Sequence, residues 1–474
     1  MQPVEQLVVP PSPPAGLWQT LSEAVKGTHQ DFTEIAISRA VIFLAIPMVL
    51  EMLLESLFAL VDIFWVTRLG ANAVATVGLT ESMLTLIFSI ALGLSFSVNA
   101  MVARRVGEKD LEGASTAAMQ AIFLGIGVSL IVGLPALLYA HELLKFMGGD
   151  AALIASGHRY TEIVFSSTAV VMLLFMNNAI FRGAGDASIA MRVLWVANAI
   201  NLVLDPCFIF GWAFFPKLGV TGAALATLIG RSCGLLYQIW MLTNGKARVH
   251  LLMRHLRVVP SVILSLIRVS FTGILQFLIA HISWLVLVRI ISTFGSLAVA
   301  GYTIGMRVFI FVILPSWGLS GAAATMVGQN LGAQKPDRAE RAVWITAGFN
   351  AVYLGIISLV MIFASHSVIA LFSADATVSA YAADCLRIVG YGNLVYAFGM
   401  VMVQAFNGAG DTLTPTLINI VSFWLCETPL AWYLANRTPL KVNGVFAAMP
   451  IAYAVMTVIS LVIFTRGNWK LRKI

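Results

Sequence analysis

The sequence predicts an all-α polytopic membrane protein in which about twelve transmembrane helices form two six-helix lobes. Of the 474 residues, 59% are hydrophobic and only 11% are charged, whereas soluble domains carry about 25% charged residues. The apolar segments are long and continuous, as helices need to cross a bilayer, and they do not alternate with polar residues as the strands of a membrane barrel do. In addition, the second half of the chain repeats the first.

The internal repeat is visible as short motifs separated by a nearly constant distance. The GAGD motif of residues 183–186 recurs at 408–411, which is 225 residues later, and VTG at 220–222 matches VNG at 442–444 after 222 residues. Because each unit holds an even number of spans, both units enter the membrane in the same orientation. We therefore expect the lobes to be related by a pseudo-two-fold axis along the membrane normal, with the substrate path between them.

The order of domains follows from this pattern. We expect a polar, proline-rich cytoplasmic tail with a surface helix at 1–35 and the N-lobe at 36–245. A basic cytoplasmic connector follows at 246–260, then the C-lobe at 261–467 and a short cytoplasmic tail at 468–474.

The distribution of Lys and Arg predicts the orientation. The loops after even-numbered spans and the C-terminus are richer in these residues than the other loops, and positively charged loops stay on the cytoplasmic side. Both termini are therefore expected to be cytoplasmic, in the inner (plasma) membrane. The net charge of +7 has the same origin, so we expect membrane lipids and no nucleic acid as partners, and a monomer.

The first span, about residues 36–67, carries three acids on one face. At about 100° per residue, Glu55 and Asp62 lie within about 40° of Glu51 around the helix axis. Carboxylates at membrane depth are costly, so they normally face a protein interior or a water-filled cavity. Glu51 and Glu55 are expected near the midplane, where they supply negative charge to a cavity for cations. Pro47 lacks a backbone donor and is the candidate hinge.

The fifth span carries a second polar stripe, which consists of Asn198, Asn201 and Asp205 within about 60° of one another. The helix rise places Asp205 in the outer half of the membrane, at a depth similar to that of Asp62. Two carboxylates in a low-dielectric pocket raise each other's proton affinity, and amide oxygens help them to hold a cation. We therefore predict an ion-coupling site for H⁺ or Na⁺ at Asp62, Asn201 and Asp205; the alternative is hydrogen bonding between helices.

Three further polar residues are candidates for the cavity. Asn177 and Asn178 lie one turn inside the GAGD motif of the fourth span, where they line a cavity or bridge helices. Glu427 is the one acid inside the eleventh span, and the spacing of 222 residues makes it the counterpart of Asp205. The counterparts of the other two ion-site residues are Phe and Leu, so the ion site is expected in the N-lobe.

The motifs, taken in order, resemble the MATE (multidrug and toxic compound extrusion) family. The resemblance is carried by Pro47 and Asp62 in the first span, the two GAGD turns, NLVLDP at 201–206 and GVTGAALAT at 219–227. It covers essentially everything from residue 36 onward. It implies a twelve-helix exporter, not an enzyme, that takes up a proton or Na⁺ while it expels small cationic amphiphiles, with no cofactor other than the coupling ion.

Residue by residue, the resemblance puts Asp62 on the family's first-helix carboxylate. It puts Asn201 and Asp205 on the fifth-helix residues that complete the cation site of the DinF-like branch. The acids that NorM-like members carry in the seventh and tenth helices are missing here, which favours the DinF-like branch. Glu55 stands where many relatives have an uncharged polar residue.

Three other functions were weighed. A flippase for a lipid-linked sugar or peptidoglycan precursor would need cations in its cavity, whereas the predicted stripe is acidic. An intramembrane aspartyl protease also carries GxGD, but both copies here lie at helix ends, where glycines allow a tight turn and Asp caps the next helix. A channel is less compatible with duplicated halves, which favour alternating access.

Overall fold

The computed structural model describes residues 17–27, 30–212, 214–372 and 375–472. Residues 1–16 and 28–29 of the predicted N-terminal tail lie outside these ranges, as does the end of the C-terminal tail. Within the described residues the protein is all-helical, because a backbone in hydrocarbon must satisfy its own hydrogen bonds.

The first half of the chain forms the N-lobe and the helix that precedes it. Its helices are α1 (Leu17–Lys26), α2 (Ile37–Thr67), α3 (Ala71–Gly107), α4 (Leu111–Leu138), α5 (Ala140–Phe146), α6 (Ala151–Ser166), α7 (Thr168–Ala184), α8 (Ala187–Phe210) and α9 (Val220–Thr243).

The second half forms the C-lobe. Its helices are α10 (Pro260–Ser292), α11 (Ser296–Gly332), α12 (Pro336–Phe363), α13 (Ser365–Ile369), α14 (Ala376–Gly390), α15 (Asn393–Gly408), α16 (Leu413–Asn419), α17 (Thr428–Arg437) and α18 (Val442–Thr465), with a π-helical segment, Ile420–Glu427, between α16 and α17.

The number of spans agrees with the prediction of about twelve. By length and composition, eleven helices of the described chain can cross a membrane, and the bent pair α14 and α15 makes a twelfth. The helices α6 and α7 together form one of the eleven, whereas α14 and α15 meet at an angle of 61°.

The helix bounds repeat at the spacing found in the sequence. The helices α3 and α11 are each 37 residues long, α4 and α12 are each 28, and α9 and α18 are each 24. Backbone conformations repeat as well: Gly70 and Gly295, just before α3 and α11, have φ angles of 96° and 104°. The duplication is therefore a property of the fold and not only of the motifs.

The first helix of each lobe packs partly on the other lobe. In α2, Leu44 and Met48 belong to a buried cluster with Met326 of α11. Reciprocally, the Oγ atoms of Ser270 in α10 and Ser97 in α3 are 2.6 Å apart. The packing of α2 on α11 and of α10 on α3 therefore holds the two lobes together.

We call the end of the bundle that carries the connector and the C-terminal tail the basic end. The lobes are in backbone contact there, because a Cβ added to Gly107 would lie 1.9 Å from the carbonyl oxygen of Gln329, and one added to Gly332 would lie 2.1 Å from that of Arg104. Gln329 Nε2 also donates to the carbonyl oxygen of Gly183 over 2.9 Å. These contacts all involve the half of each helix nearest the basic end, so the two lobes are closed against each other at that end.

The segment before α2 helps to close the basic end. The side chain of Phe32 is 1% exposed, and its carbonyl oxygen accepts a hydrogen bond from Arg338 of α12 over 3.2 Å. Arg248 of the connector lies over the Phe32 ring, 5.7 Å from its centroid. The expected surface helix α1 is anchored to α2 by an ion pair of 3.0 Å between Glu23 and Arg39.

Candidate functional site

A cavity of about 480 Å³ lies between the two lobes. Its walls are largely apolar and aromatic, with rings from both lobes, among them Phe96, Phe277 and Trp317. Phe96 and Phe277 stack across the lobe boundary with centroids 5.4 Å apart. Such a surface fits flat apolar molecules, and its few charged side chains decide which charges are accepted.

The structure brings most of the predicted cavity residues to this space. Glu51, Glu55, Asn178 and Asn198 line the cavity. The cavity is not purely acidic, however, since two arginines also line it. They are Arg182 of α7 and Arg231 of α9.

Asn177 does not line the cavity but bridges helices. Its Nδ2 donates to Gln238 Oε1 over 3.1 Å, and Gln238 Nε2 donates to Asn178 Oδ1 over 2.7 Å. Asn178 in turn donates to Glu51 Oε1 over 3.2 Å. The two asparagines are about 100° apart around the helix, which is why only one of them reaches the cavity.

We expect Gln238→Leu to destabilise the protein by about 1–3 kcal/mol, because Gln238 is fully buried and its loss leaves the amides of Asn177 and Asn178 without their partner. Thermal unfolding in detergent measures the effect. Thr243→Val, at the exposed end of the same helix, is the control and should leave the melting temperature nearly unchanged. Equal melting temperatures for the two variants would contradict the bridging role.

The predicted ion-coupling residues are close together at the edge of the cavity. Asp205 is 0% and Asn201 2% exposed. With its amide oriented to satisfy both neighbours, Asn201 donates to Asp205 Oδ2 over 2.7 Å and accepts from Thr227 Oγ1 over 3.1 Å. Asp62 lies near enough for its charge to act on Asp205. Asn201 also lines the cavity, so the ion-coupling residues and the cavity share a wall.

One oxygen of this group has no partner. Asp62 Oδ1 is buried without a hydrogen bond to any described residue. A buried carboxylate oxygen without a donor is costly, and a proton or a cation at this position would remove that cost. The residues therefore fit a coupling ion, with the carboxylates of Asp62 and Asp205 as its oxygen donors, since the amide oxygen of Asn201 already accepts from Thr227.

Three residues of this region were missed by the sequence reasoning. Thr227, at the end of the GVTGAALAT motif, completes the polar contact of Asn201. Arg231 interacts electrostatically with Glu55 and Asp62, and Glu81 of α3 also interacts with Asp62. A single charge within an apolar span is itself a signal of function, so Arg231 and Glu81 were identifiable.

Glu427 lies apart from the cavity, in the C-lobe. It is 4% exposed, ends the π-helical segment and accepts a hydrogen bond from Ser283 Oγ over 3.2 Å. It has the position in the repeat that Asp205 has in the N-lobe, but it is not a residue of the cavity wall.

The GAGD motifs form turns at the basic end. Gly185 and Gly410 have φ angles of 90° and 80°, which glycine adopts without strain. The sequence predicted that Asp186 caps the following helix with its side chain, but it does not. Its carboxylate instead accepts a hydrogen bond from the backbone N–H of Arg248 over 2.8 Å. This placement at helix ends does not support a protease.

Two duplicated helical lobes around a shared cavity define a membrane transporter. The MatE family model matches residues 47–207 and 270–433, which is more than half of the chain. The chain belongs to the MATE family, whose members are transporters and not enzymes.

Two relatives that match nearly the full length of this chain are named as drug-resistance proteins. The chain is 26% identical over 449 residues to the probable multidrug resistance protein NorM of Thermotoga maritima, covering 92% of this chain and 94% of that protein. It is 25% identical to the probable multidrug resistance protein YoeA of Bacillus subtilis, covering 88% and 91%.

The fold also matches solved structures. One, described as the outward-facing conformation of a multidrug resistance MATE family transporter, has a TM-score of 0.87 and 24% identity and covers 94% of this chain and 99% of that one.

Proposed function

We propose that this transporter is a multidrug efflux antiporter that exports small cationic amphiphiles in exchange for protons or Na⁺ by alternating access. The observation that carries the proposal is that Asn201 lines the same cavity as Glu51 and Glu55 while it is hydrogen-bonded to Asp205, which in turn lies within electrostatic range of Asp62. An ion site beside a substrate cavity allows the occupant of one to change the affinity of the other.

The cavity has the properties that an amphiphilic cation requires. Aromatic faces bind apolar rings and attract cations, and Glu51 and Glu55 supply the negative charge. Arg182 and Arg231 offset part of this charge, so an incoming cation competes with internal cations for the same carboxylates. Such competition favours weak binding, which an exporter needs in order to release its substrate.

Ion binding would drive the conformational change through differential affinity for two states. Neutralising Asp62 or Asp205 removes the repulsion between them and lets α2 and α8 pack more closely. Pro47 lies next to Met48, where α2 packs on the C-lobe. A bend of α2 near Pro47 would therefore change the contact between the lobes.

The topology completes the proposal. By the excess of Lys and Arg, the basic end lies in the cytoplasm, with both termini there, and the protein is a monomer in the inner membrane. The end opposite the basic end then faces outward. Since α10 and α15 contain no acid, we assign the chain to the DinF-like branch with its ion site in the N-lobe.

Proteoliposomes test the coupling directly. Purified protein is reconstituted, and transport of ethidium, a fluorescent organic cation, is followed while a pH gradient or a Na⁺ gradient is imposed separately. One of the two gradients should drive ethidium against its concentration gradient. Uphill transport with neither gradient, or no transport of ethidium with both, would contradict the proposal. A matched preparation without protein controls for leakage.

The flippase alternative is not favoured. The relatives reported above are named for drug resistance, and the two cavity arginines each lie within electrostatic range of a cavity acid, Arg182 of Glu51 and Arg231 of Glu55. The cavity therefore lacks the uncompensated positive charge that a large anionic headgroup would need.

A further inference from the structure

Two opposite charges on different lobes lie within electrostatic range of each other. Glu81 belongs to α3 of the N-lobe and Arg307 to α11 of the C-lobe, and each interacts electrostatically with the other. In the repeat, Glu81 corresponds to residue 306 (81 + 225), so the two charges occupy nearly equivalent positions. Both side chains are exposed.

Their neighbours show that these side chains point away from the lobe cores. Thr80, next to Glu81, is fully buried and its hydroxyl is 2.9 Å from that of Thr161 in α6. Met306, next to Arg307, is 6% exposed and belongs to the C-lobe core. Adjacent residues on a helix are about 100° apart, so the charged neighbours are turned out of the cores.

The two charges lie at the same depth in the bundle. Glu81 is ten residues from the start of α3 and Arg307 eleven from the start of α11, or about 15 and 17 Å along the helix axes. The lobe contact at Gly93 is about 18 Å further toward the basic end at the same rise. The charges therefore lie at one level of the bundle, nearer the end opposite the basic end than the lobe contact at Gly93 is.

No nitrogen–oxygen contact within 4.0 Å joins Glu81 to a cation in the described part of the chain. Glu81 instead lies within the electrostatic range of two cations, Arg307 of the opposite lobe and Arg231 of its own. Arg231 also acts on Asp62, Glu55 and the hydroxyl of Tyr160. Glu81 is thus placed between the ion-coupling residues and the opposite lobe.

We propose that Glu81 and Arg307 form an ion pair between the lobes when the end of the bundle opposite the basic end closes. In that state the carboxylate of Glu81 moves away from Arg231 and forms a direct, charge-assisted ion pair with the guanidinium of Arg307. Arg231 then interacts with Asp62 and Glu55 without competition from Glu81. Closure of this end would therefore change the electrostatic environment of the ion-coupling residues. This inference rests on alternating access but not on the identity of substrate or ion.

A charge swap tests the pair. Glu81→Arg and Arg307→Glu should each lower ethidium efflux about tenfold, because each places like charges opposite one another and opposes closure. The double variant E81R/R307E should restore efflux to within about twofold of the original protein, since it restores attraction. Ser82→Arg adds the same cation one residue along, on a different side of α3, and should have little effect. A double variant no better than the single ones would overturn the proposal.

Cross-linking provides a second readout that needs no substrate. Glu81→Cys and Arg307→Cys are combined in a chain whose own cysteines are replaced by serine, and a disulfide is formed by mild oxidation in liposomes. The disulfide should form and lock the protein, with efflux restored by reduction. If the double-cysteine protein is folded by size-exclusion chromatography and no disulfide forms, the two positions do not meet and the proposal fails. A disulfide without ethidium transport would instead contradict only the proposed substrate class.

Discussion

Asp205→Asn should lower gradient-driven efflux roughly tenfold or more, because a neutral amide of nearly the same shape cannot exchange charge with the coupling ion and the ion no longer favours one state. Asp62→Asn should have a similar effect, since the two carboxylates act on each other. The measurement is ethidium efflux from proteoliposomes under the gradient that drives the original protein.

The matched control is Glu142→Gln, which makes the same acid-to-amide change at an exposed position of α5. It should transport like the original protein. Undiminished efflux by both aspartate variants would contradict the assignment of ion coupling to these residues. Loss of efflux by variants whose size-exclusion profile is unchanged would support it.

Gly107→Ala should shift the protein away from the state that is closed at the basic end. The added Cβ would lie 1.9 Å from the carbonyl oxygen of Gln329, and overpacking of this kind costs about 1–3 kcal/mol. A cost of that size, felt only where the lobes touch, lowers the ratio of the closed to the open state by roughly 5–150-fold. A cysteine at Thr325, buried between the lobes at this end, should then react faster with a maleimide.

The control is Gly348→Ala in α12, where an added Cβ meets nothing within 4 Å. Alanine there should be neutral or slightly stabilising, because glycine within a helix is less favourable by about 0.5–1 kcal/mol. Equal maleimide labelling of the two variants, in a background without the native cysteines, would contradict the role of the contact at Gly107.

Much of the architecture could be predicted because membrane insertion leaves few choices. Continuous apolar segments must become helices, and the constant spacing of motifs predicted the duplicated lobes. The stripe of Glu51, Glu55 and Asp62 could be placed by helical periodicity alone. The prediction that Asp62 lies near Asp205 rested on a comparison of depths and on the family resemblance.

The parts that could not be predicted depend on how helices rotate and cross. The crossing of α2 onto the C-lobe is set by contacts such as that of Met48 with α11, which no periodicity reveals. Whether Asn177 or Asn178 reaches the cavity depends on how α7 is rotated about its axis, because the two residues are about 100° apart. Arg231 and Glu81 belong to another class, because a lone charge in an apolar span was visible in the sequence and only its partners required the structure.

The glycine contacts at the basic end also determine what would enter when that end opens. The lobes touch there through backbone carbonyl oxygens of Gln329 and Arg104, together with the amide of Gln329, beside the buried apolar cluster that contains Phe32 and Met326. Separating the polar part of this contact uncovers groups that water solvates well. The opening would therefore admit water, giving a charged substrate a hydrated entrance from the cell interior.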